Sequence, residues 1–195
     1  MQVKPALFEP LALVSKRVHE AVGQGRRAFA VYQAAKHDGP IIWVMPGDVM
    51  HLPMLRGLPD DVSQRLLIVR PDNEIDLLWA VEEALRSTAV GLVVAEPSGV
   101  LSLTAGRRLQ LAAEAGKTTG LMLIREGQGS NAAETRWHCE QMPSQAEDST
   151  LHQWSLIKNK KGTLTSWVVN WNGATDSVDL VSTAGERHGA TETSH

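Results

Sequence analysis

The sequence predicts an α/β domain built on a mostly parallel sheet. Three observations lead there. Short, almost wholly apolar runs recur between residues 41 and 124: IIWVM, RLLIVR, VGLVVA and LMLI. Runs of this kind suit strands covered on both faces, as in parallel sheets. Helical stretches alternate with them, and Pro or Gly punctuates the junctions, giving a strand–helix–strand order.

The elements follow in chain order. Residues 1–20 mix apolar and charged side chains, with Leu7, Leu11, Val14 and Val18 near a helical period, and predict a loose amphipathic helix. Ala21–Gly25 is small and flexible. Arg26–Lys36 is Ala-rich and helical, stopped by Asp38-Gly39-Pro40. Ile41–Met45 is the first buried strand. A short helix is expected within residues 48–64, and Arg65–Arg70 is a second buried strand. Glu74–Arg86 is a strong helix: acids lead, Arg86 closes, and Ile75, Leu78, Trp79, Glu82 and Leu85 share helical spacing. Val90–Ala95 is a third buried strand. Thr104–Ala115 is a helix stopped by Gly116, and Leu121–Ile124 is a fourth strand.

Beyond Arg125 the character changes. Glu126–Glu134 reads as a mobile loop rich in Gly, Ser, Asn and Ala. Arg136–Met142 is a strand. Gln153–Lys158 and Thr165–Trp171 form an antiparallel hairpin. From Asn172 onward Gly, Ala, Ser, Thr, Asp, Glu and His dominate, and a disordered tail is expected. The division is thus an N-terminal amphipathic segment (1–20), a single domain (21–171) and a tail (172–195). There are no internal repeats.

Composition narrows the function. The chain has 195 residues and a net charge of −3, so it is no general electrostatic binder of nucleic acid. Cys139 is the sole cysteine, which rules out an internal disulfide and a Cys-rich zinc site. The seven histidines are scattered without ligand spacing, so no metal site is expected. No apolar run reaches the ~18 residues of a membrane span. Glu9 interrupts the N-terminal segment, so the expected location is cytoplasmic, with no membrane partner. Six Trp against one Tyr and two Phe is a skew that composition does not explain.

Gly116-Lys117-Thr118-Thr119 looks like the end of a phosphate-binding loop, but Leu111 stands at the first glycine position. A helix also precedes and a strand follows, so the amides sit at a helix C-terminus whose dipole repels anions. It reads as a helix stop. Gly23-Gln24-Gly25-Arg26-Arg27 has the correct exit, into a helix N-terminus. Glu20 takes its first glycine position, Arg26 replaces the lysine and Arg27 the hydroxyl that binds Mg²⁺. A flexible turn, a weak anion or nucleotide site and a working NTPase are the readings open to it. Glu96 ends an apolar strand, as does the acid that steadies Mg²⁺ in ATPases. Asp48 reads as a helix N-cap or a water-activating base. Lys158, Lys160 and Lys161 cluster at the hairpin tip and Arg125 opens the loop, a pattern that could follow a phosphate backbone. Lysines at such places also keep edge strands from pairing.

The stretches DLLWAVEEALRSTAVGLVVAE (Asp76–Glu96) and LTAGRRLQLAAEAGKTTGLMLI (Leu103–Ile124) resemble the ImuA family in its alphaproteobacterial branch. Further matches are His19-Glu20, Gly39–Trp43, Arg136-Trp137 and the Trp154/Trp167 hairpin. The resemblance spans roughly residues 10–171 and places Trp43, Trp79, Trp137, Trp154 and Trp167 at family aromatic positions. It implies a RecA-like core with helices on both faces of the sheet. It also implies a part in SOS-induced, error-prone translesion synthesis, with an ImuB-type Y-family-like protein and RecA as partners and an error-prone C-family polymerase acting indirectly; DNA stays a candidate contact on the strength of the basic cluster alone.

In a RecA-like frame the Walker A slot falls on Glu20–Arg27, the Walker B acid on Glu96, the catalytic glutamate near Gly47-Asp48, and the nucleotide-sensing glutamine at about Arg125. The nucleotide residues would be Gly23, Gly25, Arg26 and Glu96, in degraded form. The expectation is an accessory protein with no catalytic residues and no cofactor. A residual ATPase or nucleotide sensor that takes ATP, and a division inhibitor similar to SulA, are the competing readings.

Overall fold

The computed structural model describes residues 9–53, 60–143, 151–172 and 177–184. After a 3₁₀ turn at Glu9–Leu11 come β1 (Val18–Val22), α1 (Arg26–Lys36), β2 (Ile41–Val44), α2 (Asp60–Arg65), β3 (Leu66–Val69), α3 (Glu74–Arg86), β4 (Leu92–Ala95), α4 (Leu103–Gly116) and β5 (Thr119–Leu123). Then follow β6 (Thr135–Met142), β7 (Leu151–Asn159), β8 (Ser166–Asn172) and β9 (Ser177–Ala184). The strands form one open sheet in the order β3-β2-β4-β5-β1-β6-β7-β8-β9. Pairing is parallel from β3 to β6 and antiparallel from β6 to β9.

Alternation along the strands splits the core in two. Ala21, Ile41, Trp43, Leu92, Val94, Leu121 and Leu123 face α1 and α2. Val18, Val22, Val44, Val93, Ala95 and Met122 face α3 and α4. Helices therefore cover both faces of the parallel half, as the apolar runs require. Local chemistry sets the helix ends. The Asn73 side chain accepts from the Asp76 N–H, Ser102 accepts from the Ala105 N–H, and Lys117 closes α4 in the left-handed region at φ 56°. The Gly116–Thr119 turn is thus a helix stop, and the Thr118 hydroxyl donates to the Ser87 carbonyl.

The tryptophan skew has a structural counterpart. Phe29 and Tyr32 of α1 meet Trp137, Trp154 and Trp171 of the antiparallel half, and Trp137 meets Trp167, with ring centroids 4.9 to 5.8 Å apart. Such pairs contribute about 0.5–1.5 kcal/mol each beyond area burial. They join the antiparallel strands to the parallel ones.

Several expectations are corrected. Residues 9–20 form no amphipathic helix: Leu11 and Leu13 are core residues, and Val18, His19 and Glu20 belong to the central strand β1. Residues 1–8 lie outside the described part. The expected hairpin is β7–β8, but the tail expected from Asn172 contains β9, which pairs with β8 and extends the antiparallel half to four strands; residues 185–195 lie outside the described part. Strand β3 lies at the sheet edge with Leu67, Ile68 and Val69 exposed, so it is not a buried strand. The loop before β6 buries Ser130, Ala132, Ala133 and Glu134 and is heavily bonded, against the mobility expected of it. Helix α3 buries Leu77, Val81 and Leu85, which leaves Ile75 and Trp79 in solvent.

Candidate functional site

Right-handed crossovers put α2 on one face and α4 on the other. The chain therefore leaves the neighbouring strands β2 and β4 in opposite directions. In open α/β sheets the crevice at the carboxyl ends of such strands is where ligands bind. Glu96 stands in this crevice, immediately after β4, and its N–H donates to the Val44 carbonyl of β2. Gly23–Arg27 approach it from the β1–α1 turn.

Both oxygens of the Glu96 carboxylate are engaged. The Arg27 guanidinium places Nη2 at 2.8 Å and Nε at 3.0 Å from Oε2. The Trp43 indole donates to Oε1 at 2.9 Å. Arg27 also donates from Nη1 to the His51 carbonyl, which ties down the chain after β2. An arginine at the hydroxyl position of the turn thus lies on the acid at the end of β4, where a metal ion would join them in an ATPase.

The turn itself is closed against the sheet. The Gly25 N–H donates to the Cys139 carbonyl of β6 at 2.8 Å. Gly23 takes φ +89°, and a Cβ there would collide with the Cys139 carbonyl oxygen. Gly25 is held within 3.1 Å of the same peptide, measured from its own would-be Cβ. These glycines serve a close approach of backbone to backbone. Arg26 donates from Nη1 to the Gly23 carbonyl, and its Nε is buried without a partner. Gly23, Gly25, Arg26 and Glu96 are therefore gathered at one end of the sheet. Asp48 lies at the same end, exposed after β2.

The basic residues proposed for nucleic acid do not form one surface. Lys158 Nζ donates to the carbonyls of Asn131 and Ala133, both at 2.8 Å, and Lys160 Nζ to the Ala132 carbonyl at 2.7 Å. Two ammonium groups thus pin the loop before β6. Burial, and then the nearby Arg136 guanidinium, push the Lys158 ammonium below its ordinary pKa. Lys161 is exposed at the β7–β8 turn, and Arg125 is exposed beyond β5.

Sequence reasoning missed the ion pair beneath this loop. Glu20, wholly buried in β1, accepts from Arg136 Nε and from the Ser130 N–H, each at 2.7 Å. His19 beside it bonds Val14 and Thr135, with Nε2 2.9 Å from the Val14 carbonyl and Nδ1 2.7 Å from the Thr135 hydroxyl. The bond to a carbonyl assigns the proton to Nε2. Burial lowers this imidazole to about 4, partly offset by the Val14 bond. Burial also pushes the Cys139 thiol well up. The opposite charges at Glu20 and Arg136 were the available signal, but 116 residues separate them.

Among the described residues no cluster of His, Cys, Asp or Glu could hold a metal ion, and no helix is long and apolar enough to cross a membrane.

No family model matches the chain. It is 37% identical over 97 residues to the proteins named Protein ImuA of Caulobacter vibrioides strains NA1000 / CB15N and ATCC 19089 / CIP 103742 / CB 15. The match takes in 50% of this chain and spans 39% of the length of those relatives. The chain is therefore similar to part of these ImuA proteins.

Proposed function

We propose that the chain is a non-catalytic accessory protein of SOS-induced, error-prone translesion synthesis. It acts by binding an ImuB-type Y-family-like protein and RecA, with the error-prone C-family polymerase reached through them. The likeness to proteins named ImuA supports the pathway. The observation that carries the non-catalytic reading is the Arg27–Glu96 pair. In a RecA-like core the acid after β4 steadies Mg²⁺ and the turn before α1 presents amides to phosphate. Here a guanidinium and an indole occupy both oxygens of Glu96, and the Gly25 amide is bonded to Cys139. Opening that arrangement for Mg²⁺ and phosphate would strip the acid of charge-assisted bonds, each contributing about 1.5–3 kcal/mol. A fold that keeps its framework and joins its former ligand groups to one another suits a docking role.

Two measurements test this. Titration calorimetry with Mg·ATP is expected to give no heat of binding; micromolar binding, lost in Arg26→Ala, would restore the nucleotide-sensor reading. Purified protein is expected to co-purify with an ImuB-type protein, and gene deletion to abolish damage-induced mutagenesis. Absence of both effects would sink the adaptor reading.

A further inference from the structure

Helices α3 and α4 lie side by side on one face of the sheet and leave a cleft of about 320 Å³ between them. Its apolar walls are Ile75, Leu78 and Trp79 of α3 and Ala105 and Leu109 of α4, and Glu82 and Arg108 also line it. The volume sits at the low end of ligand pockets, roughly 300–1,000 Å³, so it admits one or two side chains rather than a large cofactor. Ile75 is 81% and Trp79 63% exposed, although both lie on a regular helix whose other apolar residues are buried or half-buried. One exposed apolar residue is ordinary. A tryptophan and an isoleucine one turn apart on the lip of an apolar cleft mark a surface that another chain covers.

Charge selects the occupant. Glu82 is buried in the cleft lining, and two guanidiniums share it, Arg86 and Arg108, each 2.5 Å away. Glu83 approaches Arg86 only at 3.9 Å, and the Arg108 side chain is 63% exposed with Glu82 as its sole ion-pair partner among the described residues. Arg108 therefore keeps donors turned toward solvent, next to the apolar walls.

We infer that the α3/α4 cleft docks an amphipathic helix of a partner protein, one that bears carboxylates beside its apolar stripe. The apolar side chains enter between Trp79 and Leu109, and a carboxylate one turn along meets Arg108. This is helix-in-groove recognition with a charge that fixes orientation. The inference rests on the adaptor reading and names the surface that reading needs.

The probes are two synthetic helices of about 18 residues with the same leucine stripe, one flanked by Glu and one by Lys. Binding is followed by fluorescence anisotropy with the full chain and with Trp79→Ala and Arg108→Glu. Both substitutions lie at exposed positions, and circular dichroism checks that each variant folds. The Glu-flanked helix is expected to bind at least tenfold tighter than the Lys-flanked one. Trp79→Ala should weaken binding at least tenfold, and Arg108→Glu should reverse the preference. Equal affinities, or affinities unchanged in Trp79→Ala, overturn the inference. So does a concentration-dependent dimer abolished by Trp79→Ala, which assigns the cleft to a second copy. Single-stranded DNA binding abolished by both variants, with no peptide binding, also overturns it. Co-purification separates the two readings. If the wild type and both variants retain an ImuB-type protein, the cleft inference fails and the adaptor reading stands. If the wild type retains none, the adaptor reading fails, and the peptide preference still decides the cleft.

Discussion

Acidification should unfold this protein through His19. The residue is wholly buried in the central strand, and burial lowers its imidazole from 6.5 to about 4. In the unfolded chain the imidazole returns to an ordinary value near 6.5. Above that value the residue is neutral in both states and costs nothing. Between 6.5 and 4 the unfolded chain binds a proton that the folded one refuses. Stability is therefore full above the unfolded value and falls as pH drops through the window, by about 1.4 kcal/mol per pH unit. Over the whole window the loss is roughly 3 kcal/mol, against a typical total of 5–15 kcal/mol. His152 adds a second loss of the same sign, since burial lowers it to about 4 as well. Urea unfolding followed by tryptophan emission at pH 7.5, 6.5, 5.5 and 4.5 measures the slope, and His19→Gln should remove about half of it. The same slope in that variant, or a His19 ring proton that titrates near 6.5 by NMR, would refute the reasoning.

Other expectations concern the buried pairs and the turn. Arg136→Met leaves Glu20 buried without its cation and should cost about 3–5 kcal/mol in chemical denaturation, with Glu20→Gln added to it restoring part of the loss. Gly23→Ala should cost more than about 1 kcal/mol, because φ +89° and contact with the Cys139 carbonyl both oppose a side chain; a neutral result would mean the turn can move. Arg27→Ala should lower stability by about 1–3 kcal/mol and speed hydrogen exchange near His51, since Arg27 holds both Glu96 and that carbonyl. Cys139 should resist a thiol reagent in the native protein and react on unfolding, because burial holds the thiol protonated.

Elements with a strong local signal were legible. The Arg26–Lys36 and Glu74–Arg86 helices match α1 and α3 residue for residue, because capping, charge order and Pro/Gly stops all lie within the segment. β2 and β4 were legible as strands for a similar reason: four consecutive apolar residues between Pro or Gly stops have few alternatives to a strand. β1 was not. VHEAV carries a histidine and a glutamate, and only the bonds to Thr135, Ser130 and Arg136 make such a strand fit to be central. The exposure of β3 was equally hidden, since LLIV reads alike at an edge and in the middle of a sheet. Of the site, the sequence marked Gly23, Gly25, Arg26, Arg27 and Glu96. It could not show that Arg27 reaches Glu96, or that Lys158 and Lys160 turn inward to loop carbonyls.

By itself, then, the sequence determined the α/β class, most of the helices and strands, and the resemblance to ImuA, because these rest on periodicity, punctuation and motif within short spans. Only the tertiary structure decided which strand is central, which is an edge, and which charges meet. Those depend on pairs far apart in the chain: Glu20 with Arg136, Arg27 with Glu96, Trp43 with Glu96, and Lys158 with the carbonyls before β6. A buried charge is tolerable only beside its partner. The fold must bring the partner before the charge can be read as part of the core rather than as part of the surface.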